Sequence, residues 1–413
     1  AMGNKGKNKS REGGVVPKIS SQRKKRTDDY DDSDCESIST HITLDDDMRS
    51  VQGDDHEDEN DSSVIDAICE HMDNASHKNI SIRLAALRHL YLSLCSNFVG
   101  DDLVKHKATI IDIATKAIKK TDEECIAGCH LLATVATQIG EEASSEVDEP
   151  LSLLCPIVTD AARPLSVRSA AALAIGITGN LACVTSEVFA ACVKATADTW
   201  GSFKVGAQYT SLFCSALGSW CLLLAEADTS YVLQAFQAQP KLVAFVEGSQ
   251  LEMRVSAGEA IAFLYELGYE HRGDSFRFAN HDHLCAILTE LVSESSKNKT
   301  KKEKRVQKMN FRQIHAMIAE GDAPSLDIKL DRELLRLDSC SYKLMYDQLT
   351  ELLRGGMRRQ LKSNLLLREV FDMGNPQTEA TEKVDKQSRM AMLNTVDKLR
   401  DQKRSKQRDK RAC

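Results

Sequence analysis

Apolar residues recur at helical spacing from Val64 onward, and one short pattern of small and apolar residues returns along the chain. Three copies carry an arginine after the first hydrophobic residue: Ile82-Arg83-Leu84-Ala85-Ala86-Leu87, Val167-Arg168-Ser169-Ala170-Ala171-Ala172-Leu173 and Met253-Arg254-Val255-Ser256-Ala257-Gly258-Glu259-Ala260. The arginines are 85 and 86 residues apart, and half of either interval is about 43, within the range of HEAT and armadillo repeats. The spacing therefore predicts a repeat array of helix pairs.

The halved interval predicts further copies near positions 125 and 211. Small and apolar residues do recur there, at Cys125-Ile126-Ala127-Gly128-Cys129 and at Ser211-Leu212-Phe213-Cys214-Ser215-Ala216. We therefore expect five units, whose second helices start near 83, 125, 168, 211 and 254. Small residues allow close approach where helices of adjacent units cross. The repeated arginines are expected to contact a carboxylate or a carbonyl group of a neighbouring repeat rather than to bind a ligand.

The pattern predicts an all-α protein: a HEAT/armadillo-like helical repeat solenoid with a small C-terminal helical module and a basic C-terminal helix. It also divides the chain into five parts. In order, they are a disordered charged arm (1–62), the repeat array (63–296), a basic connector (297–310), the C-terminal helical module (311–376) and a linker with a basic helical tail (377–413). In the module, Leu334, Leu335 and Leu337 are assigned to helical spacing.

The net charge is −7, but acidic and basic residues are concentrated in different parts of the chain. Residues 28–61 hold fifteen acidic residues and one basic residue, whereas residues 297–413 hold 28 basic and 17 acidic residues. The acidic stretch cannot bury enough apolar surface to offset its ordering entropy, which favours disorder. A chain polarised in this way is expected to meet an anion with its basic end.

The basic tail is the strongest functional feature, because arginine contacts phosphate bidentately and stacks on bases. The candidate RNA-binding residues are Lys398, Arg400, Lys403, Arg404, Lys406, Arg408, Lys410 and Arg411. A second basic patch comprises Lys297, Lys299, Lys301, Lys302, Lys304 and Arg305. The tail lacks aromatic residues, so we expect contacts mainly to phosphates. The alternative interpretation is a solvated, disordered tail.

Catalytic and metal chemistry is not expected. The sequence contains no Walker loop, Rossmann fingerprint, nucleophile elbow or His-Glu-x-x-His pattern. Neither Cys125, Cys129 and His130 nor His281, His283 and Cys285 complete a tetrahedral ligand set, so we predict no metal, no cofactor and no small-molecule substrate. Thirteen scattered cysteines indicate a reducing compartment, and no apolar run reaches the length of a membrane helix. The expected location is cytoplasmic, with the nucleus as an additional site.

Several segments resemble the interferon-related developmental regulator family. They are Arg254–Ala260 with Leu264-Tyr265-Glu266-Leu267, Phe311-Arg312, Ser363-Asn364, Leu367-Arg368-Glu369-Val370-Phe371-Asp372-Met373-Gly374 and Lys406-Gln407-Arg408-Asp409-Lys410-Arg411. They occur in the family's order over nearly the whole chain.

The resemblance implies two scaffold functions. Members of the family are linked to translationally silent 80S ribosomes, where the repeat array occupies tRNA-binding space and the C-terminal helix enters the mRNA path. The expected partners are then rRNA and ribosomal proteins, and the expected outcome is repression of translation. Members are also described as transcriptional co-regulators that work with deacetylase complexes. The alternative is therefore a nuclear scaffold whose concave repeat surface holds a co-repressor peptide.

Overall fold

The computed structural model describes residues 61–207, 209–293, 301–330, 333–376 and Lys398, with the backbone alone for residues 61, 62 and 301–306. These residues are mostly helical, and the only strands among them form one two-stranded hairpin. The predicted fold class, an all-α helical repeat array, is confirmed.

Helices alternate between two layers. The first helices of the pairs are α1 Asp61–Asn74, α3 Gly100–Ile118, α5 Ser144–Thr159, α7 Ser186–Gly201, and the short α9 Thr229–Ala235 with α10 Gln239–Val246. The second helices are α2 Ile80–Ser96, α4 Asp122–Ile139, α6 Leu165–Ala182, α8 Ser211–Ala225 and α11 Leu251–Arg272. Each second helix begins within three residues of its predicted position, so the 43-residue period is confirmed.

Small residues lie where consecutive second helices cross. A Cβ atom at Gly176 of α6 would lie 2.6 Å from the Cβ atom of Ser219 in α8. Ala171 and Ala257 are fully buried. Among the described helices α6 alone is long and apolar enough to cross a membrane, but 78 % of it is buried inside the protein. That burial is the environment of a central core helix.

The repeated arginines have structural partners, but only Arg83 makes the predicted contact between repeats. Arg83 donates from Nε to Glu124 of the next unit at 2.8 Å. Arg168 and Arg254 donate instead to the carbonyl oxygens of Val158 and Val246, at 2.9 and 3.3 Å. These carbonyl groups end the first helix of the same pair, where backbone acceptors lack helical partners. Two of the three arginines therefore act within a unit rather than between units.

A sixth helix pair follows the predicted five. It consists of α12 His281–Ser293 and α13 Lys301–Glu320, and α13 packs against both α12 and α11. Residues 301–310, predicted to belong to an exposed connector, are the first half of α13. The second half carries a buried apolar stripe, formed by Phe311, Ile314, Met317 and Ile318, and the helix extends from it toward its basic N-terminus.

The C-terminal segment, residues 326–376, begins with a hairpin rather than a helix. Strands β1 Leu326–Leu330 and β2 Glu333–Leu337 pair antiparallel, with Leu326 opposite Leu337. Alternation of apolar and polar residues in Leu-Asp-Ile-Lys-Leu explains β1. The helical assignment of Leu334, Leu335 and Leu337 is wrong, because Leu335 and Leu337 are the buried alternate residues of β2.

The rest of the segment lies on the second helices of the array. It consists of α14 Cys340–Leu353, α15 Met357–Ser363 and α16 Leu365–Val370. Helix α14 contacts α11, α8, α6 and α4, α15 contacts α2, and α16 contacts α4. The C-terminal segment therefore runs back along the array, from its last units to its first, and covers part of the second-helix face.

Candidate nucleic-acid interface

Most of the candidate RNA-binding residues lie outside the described residues. Lys398 is helical and its side chain is exposed. Lys301, Lys302, Lys304 and Arg305 belong to the first turns of α13. The rest of both groups falls outside the described ranges: Lys297, Lys299, Arg400, Lys403, Arg404, Lys406, Arg408, Lys410 and Arg411. The structure therefore places four residues of the second patch on one helix.

Helix α13 is held rigidly at its apolar end. The Arg254 guanidinium group stacks over the Phe311 ring at 5.6 Å from its centroid. Ile314 fills the space beside Gly258, where a Cβ atom would lie 2.9 Å from its Cδ1 atom. The basic first turns thus extend from an anchored helix.

The first attachment of the C-terminal segment is at the N-terminus of α14. Glu266 of α11 accepts hydrogen bonds from the backbone N–H groups of Cys340 and Ser341, at 2.7 and 2.9 Å, and from the Ser341 hydroxyl at 2.6 Å. A helix N-terminus favours an anion. Burial raises the pKa of Glu266, while these hydrogen bonds act in the opposite direction.

One turn further along α14, Lys343 lies between two carboxylates. Its Nζ atom is 2.7 Å from an oxygen of Glu259 on α11 and 2.7 Å from an oxygen of Asp347. Burial lowers the pKa of Lys343, but the two carboxylates outweigh burial and raise that pKa above its usual value. Lys343 therefore stays charged and ties α14 to α11.

The third attachment is a buried cluster of amide side chains at the end of α2. Gln360 donates from Nε2 to the carbonyl oxygens of Leu94 and Asn97, at 2.8 and 3.0 Å. Gln138 donates to the same Leu94 oxygen at 2.8 Å, and Asn364 donates to the carbonyl oxygen of Thr137 at 2.8 Å. Side chains from the C-terminal segment thus satisfy carbonyl groups that the array leaves without helical partners.

A buried arginine also holds the C-terminal segment together internally. Arg368 is 2 % exposed and forms a bidentate pair with Glu333 of β2, at 2.8 and 2.9 Å. It also donates to the carbonyl oxygens of Leu361 and Gly374, at 2.9 and 2.7 Å. This single side chain joins the hairpin, α15 and the chain beyond α16.

A group of surface cations was missed by the sequence analysis. We define the basic edge as Arg354, Arg358, Arg359 and Lys362, all of which are exposed. The signal was present in the sequence, because residues 354–362 contain four basic and no acidic residues.

The cysteine and histidine groups considered for metal binding have structural contacts. Cys125 and Cys129 are fully buried, and the His130 ring packs on Tyr91 at a centroid distance of 5.3 Å. His281 contacts the Tyr265 hydroxyl at 2.9 Å, whereas His283 points to Glu247 at 3.8 Å. Within the described ranges no three His, Cys, Asp or Glu residues form a group that could hold a metal ion.

These features define a class of protein: a helical repeat array that carries its own C-terminal segment on its second helices. The comparisons with known proteins identify a family. Residues 32–319 match the family model described as interferon-related developmental regulator, and residues 364–412 match the interferon-related protein conserved region. The chain belongs to the interferon-related developmental regulator family.

Individual relatives are similar over most of their length. Interferon-related developmental regulator 1 of Sus scrofa is 28 % identical, over 81 % of this chain and 78 % of that protein. Interferon-related developmental regulator 2 of Mus musculus is 27 % identical, over 74 % of this chain and 72 % of that protein. Among solved structures, a designed armadillo repeat protein is 14 % identical, with a TM-score of 0.40, and covers 60 % of this chain and 99 % of its own.

Proposed function

We propose that this chain is a non-enzymatic ribosome-binding protein that occupies idle 80S ribosomes and represses translation. The repeat array with its C-terminal segment is the body that fills tRNA-binding space, and the basic tail contacts rRNA in the mRNA path. The observation that carries the proposal is the tail, where residues 383–411 hold eleven basic and four acidic residues without glycine or proline. RNA phosphates would neutralise these charges and permit a continuous helix.

The geometry of the body supports a shape-matched partner rather than a bound peptide. The C-terminal segment covers part of the second-helix face and is fixed there by Glu266, Lys343 and Gln360. A co-repressor peptide would need a different surface or would have to displace this segment. Because the C-terminal segment is fixed in place, the surface of the body is preformed. A preformed surface lowers the entropic cost of binding to a large rigid partner.

Sedimentation of cell extract through a sucrose gradient tests the proposal. We expect the protein to migrate with 80S particles, and we expect glutamate at positions 403, 404, 406, 408, 410 and 411 to abolish this migration. If about six phosphate contacts form, affinity should fall by roughly three tenfold steps between 50 and 200 mM salt. A variant with Lys403, Lys406 and Lys410 changed to Arg keeps the charge and should still migrate with ribosomes.

Two results would contradict the proposal in different ways. Ribosome binding by the glutamate variant that does not respond to salt would show that the array docks without the tail. A protein found free, or bound to chromatin, would instead favour the co-regulator alternative. Thermal melting of the array should be the same in all variants, because the core of the described residues is formed between Ile68 and Phe371.

A further inference from the structure

The basic edge belongs to an ordered segment, residues 354–362, whose charged residues are all basic. Through residues 354–362 the exposed positions are the four cations and Gly355, while Gly356, Met357, Gln360 and Leu361 are buried. Arg358 and Lys362 are one helical turn apart on α15, so their side chains are neighbours. Arg358 donates to the carbonyl oxygen of Lys329 in β1 at 2.8 Å, so the exposed Lys329 lies beside it. The hairpin therefore lies against the basic edge.

Cations of the basic edge differ from those of the array. Within the described residues, no carboxylate oxygen lies within 4.0 Å of the guanidinium nitrogens of Arg354, Arg358 or Arg359. On the first helices, by contrast, three exposed lysines are paired with carboxylates: Lys105 with Asp102 at 2.6 Å, Lys116 with Asp112 at 2.6 Å and Lys194 with Asp198 at 3.1 Å. The edge therefore keeps guanidinium groups available to an anion.

Arg354 occupies a backbone conformation that favours glycine. It ends α14 with φ of 49° and ψ of −124°, a region in which a side chain strains the backbone. Two glycines follow it directly, so glycine in its place would relieve strain within the same turn. Strained residues concentrate where a side chain has a function. This is independent evidence that the exposed Arg354 guanidinium group is used.

The edge is also held in a fixed position. Gly356 lies so close to the end of α2 that a Cβ atom would overlap the carbonyl oxygen of Cys95. Gln360 and Asn364 attach the same turn to α2 and α4 through their buried hydrogen bonds. A preorganised set of cations loses little further backbone entropy on binding.

We propose that the basic edge binds the phosphate backbone of RNA. Protein interfaces usually need a central apolar or aromatic anchor, yet each exposed residue of 354–363 is charged, glycine or serine. Nucleic-acid interfaces are polar and positively charged, and arginine matches phosphate bidentately. The edge lies between the two family matches, which end at residue 319 and begin at residue 364. This inference partly rests on the proposed function. It adds a second RNA contact, located on the folded body.

The test uses the full chain and fluorescence anisotropy with a labelled RNA hairpin of arbitrary sequence. Changing Arg358, Arg359 and Lys362 to Gln should reduce the slope of log affinity against log salt by about two to three. The matched control changes Lys105, Lys194 and Lys204 to Gln, which removes the same charge from the first-helix side and a neighbouring loop. We expect the control to lose far less affinity. Equal losses, or no loss in either variant, would overturn the proposal.

Arg354→Gly gives a second test in which a folding defect cannot imitate the result. Relief of backbone strain should raise the melting temperature by about 2–4 °C, while RNA affinity falls. A higher melting temperature with unchanged RNA affinity would remove Arg354 from the site.

Poly-glutamate serves as the competing probe. If it binds the edge and RNA binding is unaffected by the triple variant, the partner is an acidic protein and the RNA assignment is wrong.

The sucrose gradient separates this inference from the proposed function. RNA binding that depends on the edge, in a protein that never migrates with 80S particles, would reject the ribosome function and leave the edge intact. Ribosome binding and RNA binding that both depend on the tail alone would reject the edge and leave the proposed function intact.

Discussion

The repeat array and the C-terminal segment are stabilised by different kinds of contact. In the array, small and apolar residues return every 43 residues or so, and each helix packs against its immediate neighbours. The segment crosses several units and is attached by a few polar side chains. Ser341 meets Glu266 across 75 residues of sequence, and Gln360 meets Leu94 across 266. One region has many similar contacts, and the other has few specific ones.

The difference predicts how each region responds to damage. In a repeat array, stability is close to a sum of unit and interface contributions, so one weakened crossing affects mainly its neighbours. In the segment, each attachment is nearly unique, and its loss leaves buried polar groups without partners. Single substitutions should therefore be more costly, and less local, in the C-terminal segment than in the array.

The largest effect is expected from Arg368→Met. The change leaves the half-buried Glu333 without its bidentate partner and leaves the carbonyl groups of Leu361 and Gly374 without a donor. Loss of a fully buried pair costs about 3–5 kcal/mol, and because water reaches the Glu333 carboxylate we expect a cost of about 2–3 kcal/mol here. Hydrogen exchange should increase throughout α14–α16 while α5–α8 stay protected, and denaturant unfolding gives the magnitude. Arg359→Met, at an exposed position of α15, is the control and should be nearly neutral.

A uniform increase of exchange over the whole array would contradict the comparison. It would mean that the C-terminal segment and the array unfold as one unit, and that Arg368 supports both. Protection that changes only within the segment supports two regions of different stability.

A smaller effect is expected at the helix crossings of the array. Ala171→Leu in α6 and Ala257→Leu in α11 add a bulky side chain at fully buried positions, which should destabilise the protein by about 1–3 kcal/mol through overpacking. Ala85→Leu on the exposed face of α2 is the matched control. If both buried variants unfold like the unaltered protein, the close crossings have been placed at the wrong residues.

The same contrast determines what the sequence could predict. The second helices were located within three residues because Ala171, Ala257 and their equivalents repeat at a constant interval. The path of the C-terminal segment could not be inferred, since no local pattern indicates that Gln360 will satisfy carbonyl groups near residue 94. The hairpin was missed because a short apolar run such as 334–337 fits either a helix or a strand. The basic edge was detectable from charge alone, but its exposure depended on which residues α15 buries.

The junction between the two regions contains His130, which offers a smaller and pH-dependent test. Its ring packs on Tyr91, whose hydroxyl group donates to the carbonyl oxygen of Leu352 in α14. Burial, with a lesser contribution from the nearby Arg354 cation, lowers the pKa of His130 from 6.5 to about 4. The unfolded chain therefore binds a proton more readily than the folded protein between these values.

Stability linked to His130 should be complete above pH 6.5 and should decrease as the pH falls toward 4. At pH 5 the expected loss relative to pH 7 is about 2 kcal/mol, since each pKa unit corresponds to about 1.4 kcal/mol. Urea unfolding of the unaltered protein and of His130→Gln at both pH values isolates this contribution, because all other titrating groups are shared.

Tyr91→Phe is the control: it removes the hydrogen bond to Leu352 but keeps the imidazole. Its free energy of unfolding should be lower at both pH values, with the same pH dependence. Parallel pH profiles for the unaltered protein and His130→Gln would show that the imidazole is protonated equally in both states, and that the junction is open to water.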